Sequence, residues 1–240
     1  MKRHARMLTA VVLVALLVAG PELWAIPFSQ TKIIIEVNAT AGDAGIQIFL
    51  DAEGWDRLEI FDPNGHRIFE VTGSDSVGMT GITELFFESA EPSFDELPLD
   101  ELLERFVAGN YTFTGTTVDG KQLTGKAMLK HNIPDGPEIL SPAEGAALCA
   151  KSPVVIDWEA VTQSFPGANL AIKIAGYQVI VEREKPAPLL AFSVNLPATI
   201  TRVTVPPEFL QANAEYKFEV LAIEASGNQT ISQGNFTTTP

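Results

Sequence analysis

Few side chains in this 240-residue chain have the types and spacing that catalysis requires. Beyond residue 25 there are two histidines, His66 and His131, and one cysteine, Cys149. Neither histidine has a recognisable partner, and the chain contains no His-Glu-x-x-His, nucleophile elbow, phosphate-binding loop or dinucleotide fingerprint. The sequence therefore predicts no catalytic residue and no cofactor, and a lone cysteine excludes an intramolecular disulfide.

Carboxylates are more prominent, and calcium is the ion that they would suit. Asp51, Glu53 and Asp56 lie around a glycine in Asp-Ala-Glu-Gly-Trp-Asp. Calcium needs six to eight oxygen ligands from a shaped loop, and this spacing matches no recognised one, so the three are weak calcium candidates. A second acidic series continues without Lys or Arg through Glu84, Glu88, Glu91, Asp95, Glu96, Asp100, Glu101 and Glu104. We interpret it as a solvated surface, with a calcium site or a docking surface for a basic partner as alternatives.

Trp55 lies among the first set of carboxylates, outside any alternating apolar run. We interpret it as a core residue at the end of a strand. The alternative is an exposed ligand platform that stacks on sugar rings, which would make this a carbohydrate-binding protein using Trp55 and the nearby carboxylates.

Short alternating runs predict the strands that position these residues. In residues 27–132 they cover 32–38, 46–51, 57–62, 67–71, 111–114 and 123–129. Pro63-Asn64-Gly65 and Asp119-Gly120 lie between consecutive runs and are typical of hairpin turns. One helix is predicted near 97–107, because Leu99, Leu102, Leu103 and Phe106 form an apolar stripe at helical period.

Three further runs, 154–158, 177–182 and 216–222, predict strands that each bury one face, which favours a β-sandwich. In and beside these runs lie Trp158, Tyr177, Leu210, Tyr216, Val220, Ala222 and Gly227. Through the types and spacing of these residues, this part of the chain resembles a fibronectin type III domain. The resemblance implies a tyrosine corner, in which the Tyr216 hydroxyl bonds back to the crossover 210–215. The N-terminal part loosely resembles immunoglobulin-like β-sandwich modules of secreted bacterial proteins, through Ala-Gly-Asn-Tyr-Thr-Phe at 108–113.

Residues 1–25 have the layout of a signal peptide: a basic start, an apolar run from Met7 to Ala19 and a cleavage motif ending at Ala25. The apolar run is too short to span a bilayer. The remaining chain is acidic, with 18 acidic against 7 basic residues in 27–132 and 11 against 6 in 133–240. Such a surface repels phosphate backbones, so nucleic-acid binding is not expected.

The sequence thus predicts an all-β fold of two tandem β-sandwich domains, 27–132 with one short α-helix and 146–240. The Pro/Gly-rich linker 133–145 joins them, and a strand starting at 137 could belong to the second domain. The leading function is an exported, non-catalytic binding or spacer protein in the periplasm or extracellular space. The alternatives are the carbohydrate-binding protein above and a hydrolase with an unrecognised site. We expect a protein or glycan partner and no stable membrane insertion after signal cleavage.

Overall fold

The computed structural model describes residues 25–240, of which the majority lie in strands. The expected signal segment lies outside these residues except for Ala25. We call residues 27–132 the N-terminal half and residues 133–240 the C-terminal half. Within residues 25–240, no helix is both long and apolar enough to cross a bilayer.

The N-terminal half contains seven strands and two short helices among the described residues. In chain order these are β1 (Ile26–Pro27), β2 (Gln30–Asn38), β3 (Asp43–Phe61), β4 (Arg67–Thr72), α1 (Asp75–Thr80), β5 (Ile82–Glu88), α2 (Leu99–Arg105), β6 (Gly109–Thr117) and β7 (Gln122–Leu129). β6 and β7 form the predicted hairpin at Asp119-Gly120, and β1 pairs with β7 in parallel.

β3 is the central strand of this half. It combines the two predicted strands 46–51 and 57–62 into one long strand, which changes its pairing partners at a bend. Up to Asp51 it pairs with β2 and β5, and from Arg57 onward it pairs with β4 and β6. The register shifts on both sides of Trp55, which lies at the bend. Inward-facing side chains from both parts share one hydrophobic core, which includes Ile46, Ile48, Leu50, Leu58, Ile60, Tyr111 and Phe113.

α2 confirms the predicted helix. Its Leu102 is buried, while Leu99, Leu103 and Phe106 pack against the same core from partly buried positions. α1 was not predicted, since its sequence Asp-Ser-Val-Gly-Met-Thr carries no apolar stripe and none of its residues is buried.

The C-terminal half contains eight strands among the described residues. These are β8 (Ile139–Ser141), β9 (Ala146–Cys149), β10 (Val154–Trp158), β11 (Ile174–Lys185), β12 (Leu190–Pro197), β13 (Arg202–Val205), β14 (Glu215–Glu224) and β15 (Gln229–Thr239), with a 3₁₀ turn at Pro207–Phe209. β10 lies between β13 and β8 in one sheet. The other sheet runs β15-β14-β11-β12, with β9 pairing with β15 in parallel. Inward-facing side chains of both sheets meet in a second core, so this half is a β-sandwich.

One sheet continues from one half into the other. Gln229–Ile231 of β15 pair in parallel with Glu36–Asn38 of β2. The strand ladder therefore passes directly between the halves, in addition to the covalent connection at 133–145.

Candidate functional site

Trp55 does not form a ligand platform. Its side chain is fully buried in the N-terminal core, at the point where β3 leaves one set of partners for the next. A sugar ring stacks only on an exposed aromatic face, so the platform prediction is wrong and the core interpretation is confirmed. Its ring belongs to the hydrophobic core at the point where β3 changes partners.

The three calcium candidates do not converge. Asp51 lies opposite Glu84 in the β3–β5 ladder, before the bend, while Asp56 lies after it. Among the described residues, one set of three acidic side chains has its oxygens within 4.8 Å of one another, and it consists of Glu36, Glu88 and Glu91. Two of these belong to the acidic series noted in the sequence. Glu36 comes from β2, and no local sequence pattern predicts that it lies close to Glu88 and Glu91.

Burial and neighbouring carboxylates raise the pKa of two members of this acidic cluster, Glu36 and Glu91. Glu36 is 7% exposed and accepts a hydrogen bond from the Gln229 side chain across the β2–β15 pairing. Burial raises its pKa, and the neighbouring Glu88 adds to the effect. The pKa of Glu91 is raised to about 7, first by burial and then by Glu88, Glu36 and Asp43. The Glu91 carboxyl can therefore hold a proton near neutral pH.

The two histidines have structural contacts. His131 Nε2 lies 2.8 Å from the carbonyl oxygen of Phe106 and so fastens the end of α2 to the end of β7. His66 Nδ1 lies 3.1 Å from Asp62 Oδ2 beside the first hairpin turn, on an exposed surface. Asp62 Oδ1 also accepts hydrogen bonds from the backbone N–H groups of Asn64 and His66, which fixes that turn.

Asn228 makes the most concentrated set of polar contacts between the halves. Its side chain is 1% exposed and every one of its hydrogen bonds reaches outside the C-terminal sandwich. Oδ1 accepts from the Ile35 backbone N–H at 2.9 Å, while Nδ2 donates to the carbonyls of Lys130 at 2.7 Å and Asn132 at 3.0 Å. A side chain this enclosed is not accessible to a glycosylating enzyme in the folded protein, although the sequence gives it an Asn-x-Thr acceptor motif.

A loop of the C-terminal half also contacts the N-terminal core and is held against the start of the linker 133–145. Phe165 packs against the N-terminal core, with its ring 5.8 Å from that of Phe94. The backbone N–H of Phe165 donates to the carbonyl of Ile133 at 3.0 Å, and Asp135 N–H donates to Gln163 at 2.9 Å. We call residues 161–171 the junction loop. The sequence does not indicate that this loop contacts the N-terminal half, because the residues that it contacts there, such as Phe94, are distant in the chain.

The residues of the fibronectin type III resemblance occupy the places that it implies. Trp158, Tyr177, Tyr216, Val220 and Ala222 are buried in the C-terminal core, and Leu210 packs against it. Trp158 and Tyr177 meet edge to face at 5.3 Å. Gly227 has a φ of +97° in the turn before β15, where an added Cβ would lie 3.1 Å from Ile34.

The tyrosine corner is confirmed. The Tyr216 hydroxyl accepts a hydrogen bond from Gln211 N–H at 2.8 Å and lies 3.4 Å from the Phe209 carbonyl. The N-terminal half has a comparable contact that the sequence did not predict. The buried Tyr111 donates its hydroxyl to the Val107 carbonyl at 3.1 Å, at the start of the strand that enters a hairpin. The shared pattern Tyr-x-Phe, at 111–113 and 216–218, is the signal that would have revealed it.

Two packed sheets, this strand order and the tyrosine corner define the C-terminal half as a fibronectin type III-like β-sandwich. No family model matches the chain, and no curated protein matches it. Similar solved structures are the FN1-FN3 domains of chicken CNTN1 (12% identity, 90% of this chain, TM-score 0.37) and the fibronectin(III)-like modules of Clostridium thermocellum CbhA (9%, 87%, 0.33). A two-domain segment of chicken tenascin is a third (11%, 87%, 0.28). The chain spans 65% of the CNTN1 segment, 94% of the CbhA segment and 97% of the tenascin segment.

Proposed function

We propose that this chain is an exported, non-catalytic protein whose two β-sandwich domains, 27–132 and 146–240, form a rigid spacer that presents a surface to a protein partner. The linker 133–145 joins them, and β8 belongs to the second domain, since Ile139 packs against the C-terminal core. The single observation that carries the proposal is the buried side chain of Asn228, which fastens the second domain to the first by three hydrogen bonds.

A flexible tether would need none of the contacts at this junction. Parallel pairing of β2 with β15, the Asn228 hydrogen bonds and the Phe165 contact restrain the two domains from different directions. Polar groups buried in such an interface favour one arrangement, because every alternative leaves N–H and carbonyl groups unpaired. Rigidity of this kind supports a role in holding a binding surface at a fixed distance and angle.

The acidic charge of the N-terminal half supports a partner protein with a basic surface. The N-terminal half carries a net charge of −11, and electrostatic attraction would speed its association with a cationic protein. The basic, apolar and Ala25-terminated start of the chain supports export to the periplasm or the extracellular space.

Residual dipolar couplings measured on the whole protein test the rigid junction. We expect one alignment tensor to fit the amides of both halves. The double variant Asn228→Ala, Phe165→Ala should need two tensors, because it removes the polar contacts and the aromatic contact together. Leu170→Ala is the matched control, since Leu170 lies in the same junction loop but is 45% exposed. Two different tensors for the unmodified protein would refute the rigid spacer.

Export and partner binding are tested in the source organism. We expect the mature protein to begin near Ile26, and N-terminal sequencing that still finds residues 7–19 would refute cleavage. Partners recovered from the extracellular or periplasmic fraction should dissociate as salt is raised, since salt screens exposed charges over about 10 Å at 0.1 M. Capture that is insensitive to salt would refute the electrostatic basis of the interaction.

A further inference from the structure

An apolar pocket opens at one edge of the N-terminal sandwich. β4 and β5 each pair only with β3 among the described strands, β5 with its first part and β4 with its last. Phe69 of β4 stacks on Phe87 of β5 with ring centroids 4.5 Å apart. Beside this pair lies a cavity of about 330 Å³, whose floor is formed by Ile46 and Ile48 of β3.

The walls of the pocket are almost entirely hydrocarbon. Ile68 and Phe106 complete them, and the hydroxyl of Ser89 is engaged, accepting from Ile46 N–H at 3.0 Å and lying 3.0 Å from the Ala90 carbonyl. An occupant therefore gains by burying an apolar body here, and it finds no free neutral hydrogen-bonding side chain along the walls.

One charged side chain lines the pocket, and it is a cation in an otherwise acidic half. Arg105 ends α2 at the pocket. Its nearest carboxylate oxygen within residues 25–240, Glu101 Oε2, lies at 4.0 Å, which is too far for a hydrogen bond. The planar guanidinium is suited to binding a carboxylate through two parallel hydrogen bonds.

We propose that this pocket binds a free medium-chain fatty acid, with the alkyl chain among the isoleucine and phenylalanine side chains and the carboxylate on Arg105. At roughly 30 Å³ for each water-sized group, the cavity holds a chain of about ten heavy atoms, which corresponds to octanoate or decanoate. This binding activity goes beyond the proposed spacer function and does not depend on the rigidity of the junction.

Titration of the whole protein with decanoate, followed by amide chemical shifts, tests the proposal. We expect saturable shifts at residues that line the pocket, and about fivefold weaker binding of 1-decanol, which lacks the charge that an exposed ion pair would use. Arg105→Gln should weaken decanoate binding by the same factor and leave decanol binding unchanged. Arg202→Gln, at the start of β13 in the other half, is the control.

Two substitutions of opposite charge at Ile68, at the mouth of the pocket, distinguish an electrostatic effect on ligand binding from the effect of losing the apolar side chain. Ile68 is 41% exposed, so Ile68→Glu and Ile68→Lys both remove its side chain without opening the core. Decanoate should bind Ile68→Lys more tightly than Ile68→Glu, and decyltrimethylammonium should show the opposite order. Equal affinities of the two variants, decanol binding as tightly as decanoate, or shifts that do not saturate would each overturn the proposal.

Discussion

Removal of single hydroxyl groups from the three buried tyrosines should reveal whether each hydroxyl serves as an acceptor or as a donor. Tyr177 and Tyr216 accept hydrogen bonds from backbone N–H groups, of Val161 at 2.9 Å and Gln211 at 2.8 Å, and Tyr216 also donates a longer one to the Phe209 carbonyl at 3.4 Å. Tyr111 donates to the Val107 carbonyl. In each case Tyr→Phe removes the oxygen and leaves the ring in place.

The expected costs differ because the groups left behind differ. An N–H group has one hydrogen and no alternative partner in a crossover without a ladder, whereas a carbonyl oxygen has a second lone pair. We therefore expect Tyr216→Phe and Tyr177→Phe to lower the free energy of unfolding by about 1–3 kcal/mol, the cost of an unsatisfied buried group. Tyr111→Phe should cost about 0.5–1.5 kcal/mol, the net value of an ordinary hydrogen bond.

The ring of Tyr216 adds a second, separable contribution. It stacks on Phe236 with centroids 4.8 Å apart and planes 8° apart, a contact that Tyr216→Phe preserves. Tyr216→Ala removes it and leaves a cavity, so the cost should rise to roughly 3–5 kcal/mol, as for Phe→Ala in a core.

Denaturant melts followed by circular dichroism measure these differences, provided that the variants share the slope of the unmodified protein. A cost for Tyr111→Phe that equals or exceeds that for Tyr216→Phe would refute the donor–acceptor argument. A negligible cost for Tyr216→Phe would show that the tyrosine corner contributes no stability.

Three further predictions concern the acidic cluster, a packed glycine and the domain boundary. Because the pKa of Glu91 is higher in the folded state than its ordinary value of 4.5, stability should fall as pH rises toward about 7, and Glu91→Gln should flatten that slope in melts between about pH 5 and about pH 8; an unchanged slope would contradict the assignment. Gly234→Ala should cost about 1–3 kcal/mol in the same melts, since its Cβ would lie 2.5 Å from Phe218 Cζ, and a neutral substitution would mean that the ring can move. A fragment of residues 134–240 should unfold cooperatively with a near-ultraviolet signal from Trp158, and a disordered fragment would place the boundary elsewhere.

The sequence predicts the features that depend on neighbours in the chain. Alternation and turn residues identify the β6–β7 hairpin, and helical spacing identifies α2, because each of these patterns is complete within about a dozen residues. The tyrosine corner was implied by the resemblance to fibronectin type III domains, to which the spacing of Leu210 and Tyr216 contributes. The hydrogen bond of Tyr111 was missed, because its acceptor, Val107, lies in the irregular segment between α2 and β6 and carries no sequence pattern of its own.

The features that sequence analysis did not find depend on groups brought together from distant positions. Burial of Trp55 was the favoured interpretation, but the bend of β3 at which it lies was not predicted, because partners in β5 and β6 define that bend. Glu36 joins Glu88 and Glu91 only after β2 and β5 have both paired with β3. No local sequence pattern predicts contacts between residues so far apart in the chain. Trp55 and Glu36 are therefore each compatible with several interpretations when only the sequence is known.

The outer edge of β15 is covered by groups from both halves of the chain. An exposed edge of this length would offer its N–H and carbonyl groups to other chains. Here its first residues pair with β2 and its last residues, from Phe236, pair with β9. Between them, Gln233 N–H donates to Thr40 Oγ1 at 2.9 Å and Asn235 N–H to Glu144 Oε2 at 3.0 Å. The N-terminal half thus covers part of an edge that β9 and Glu144 of the C-terminal half leave open, and this shared coverage supports the proposed rigid spacer.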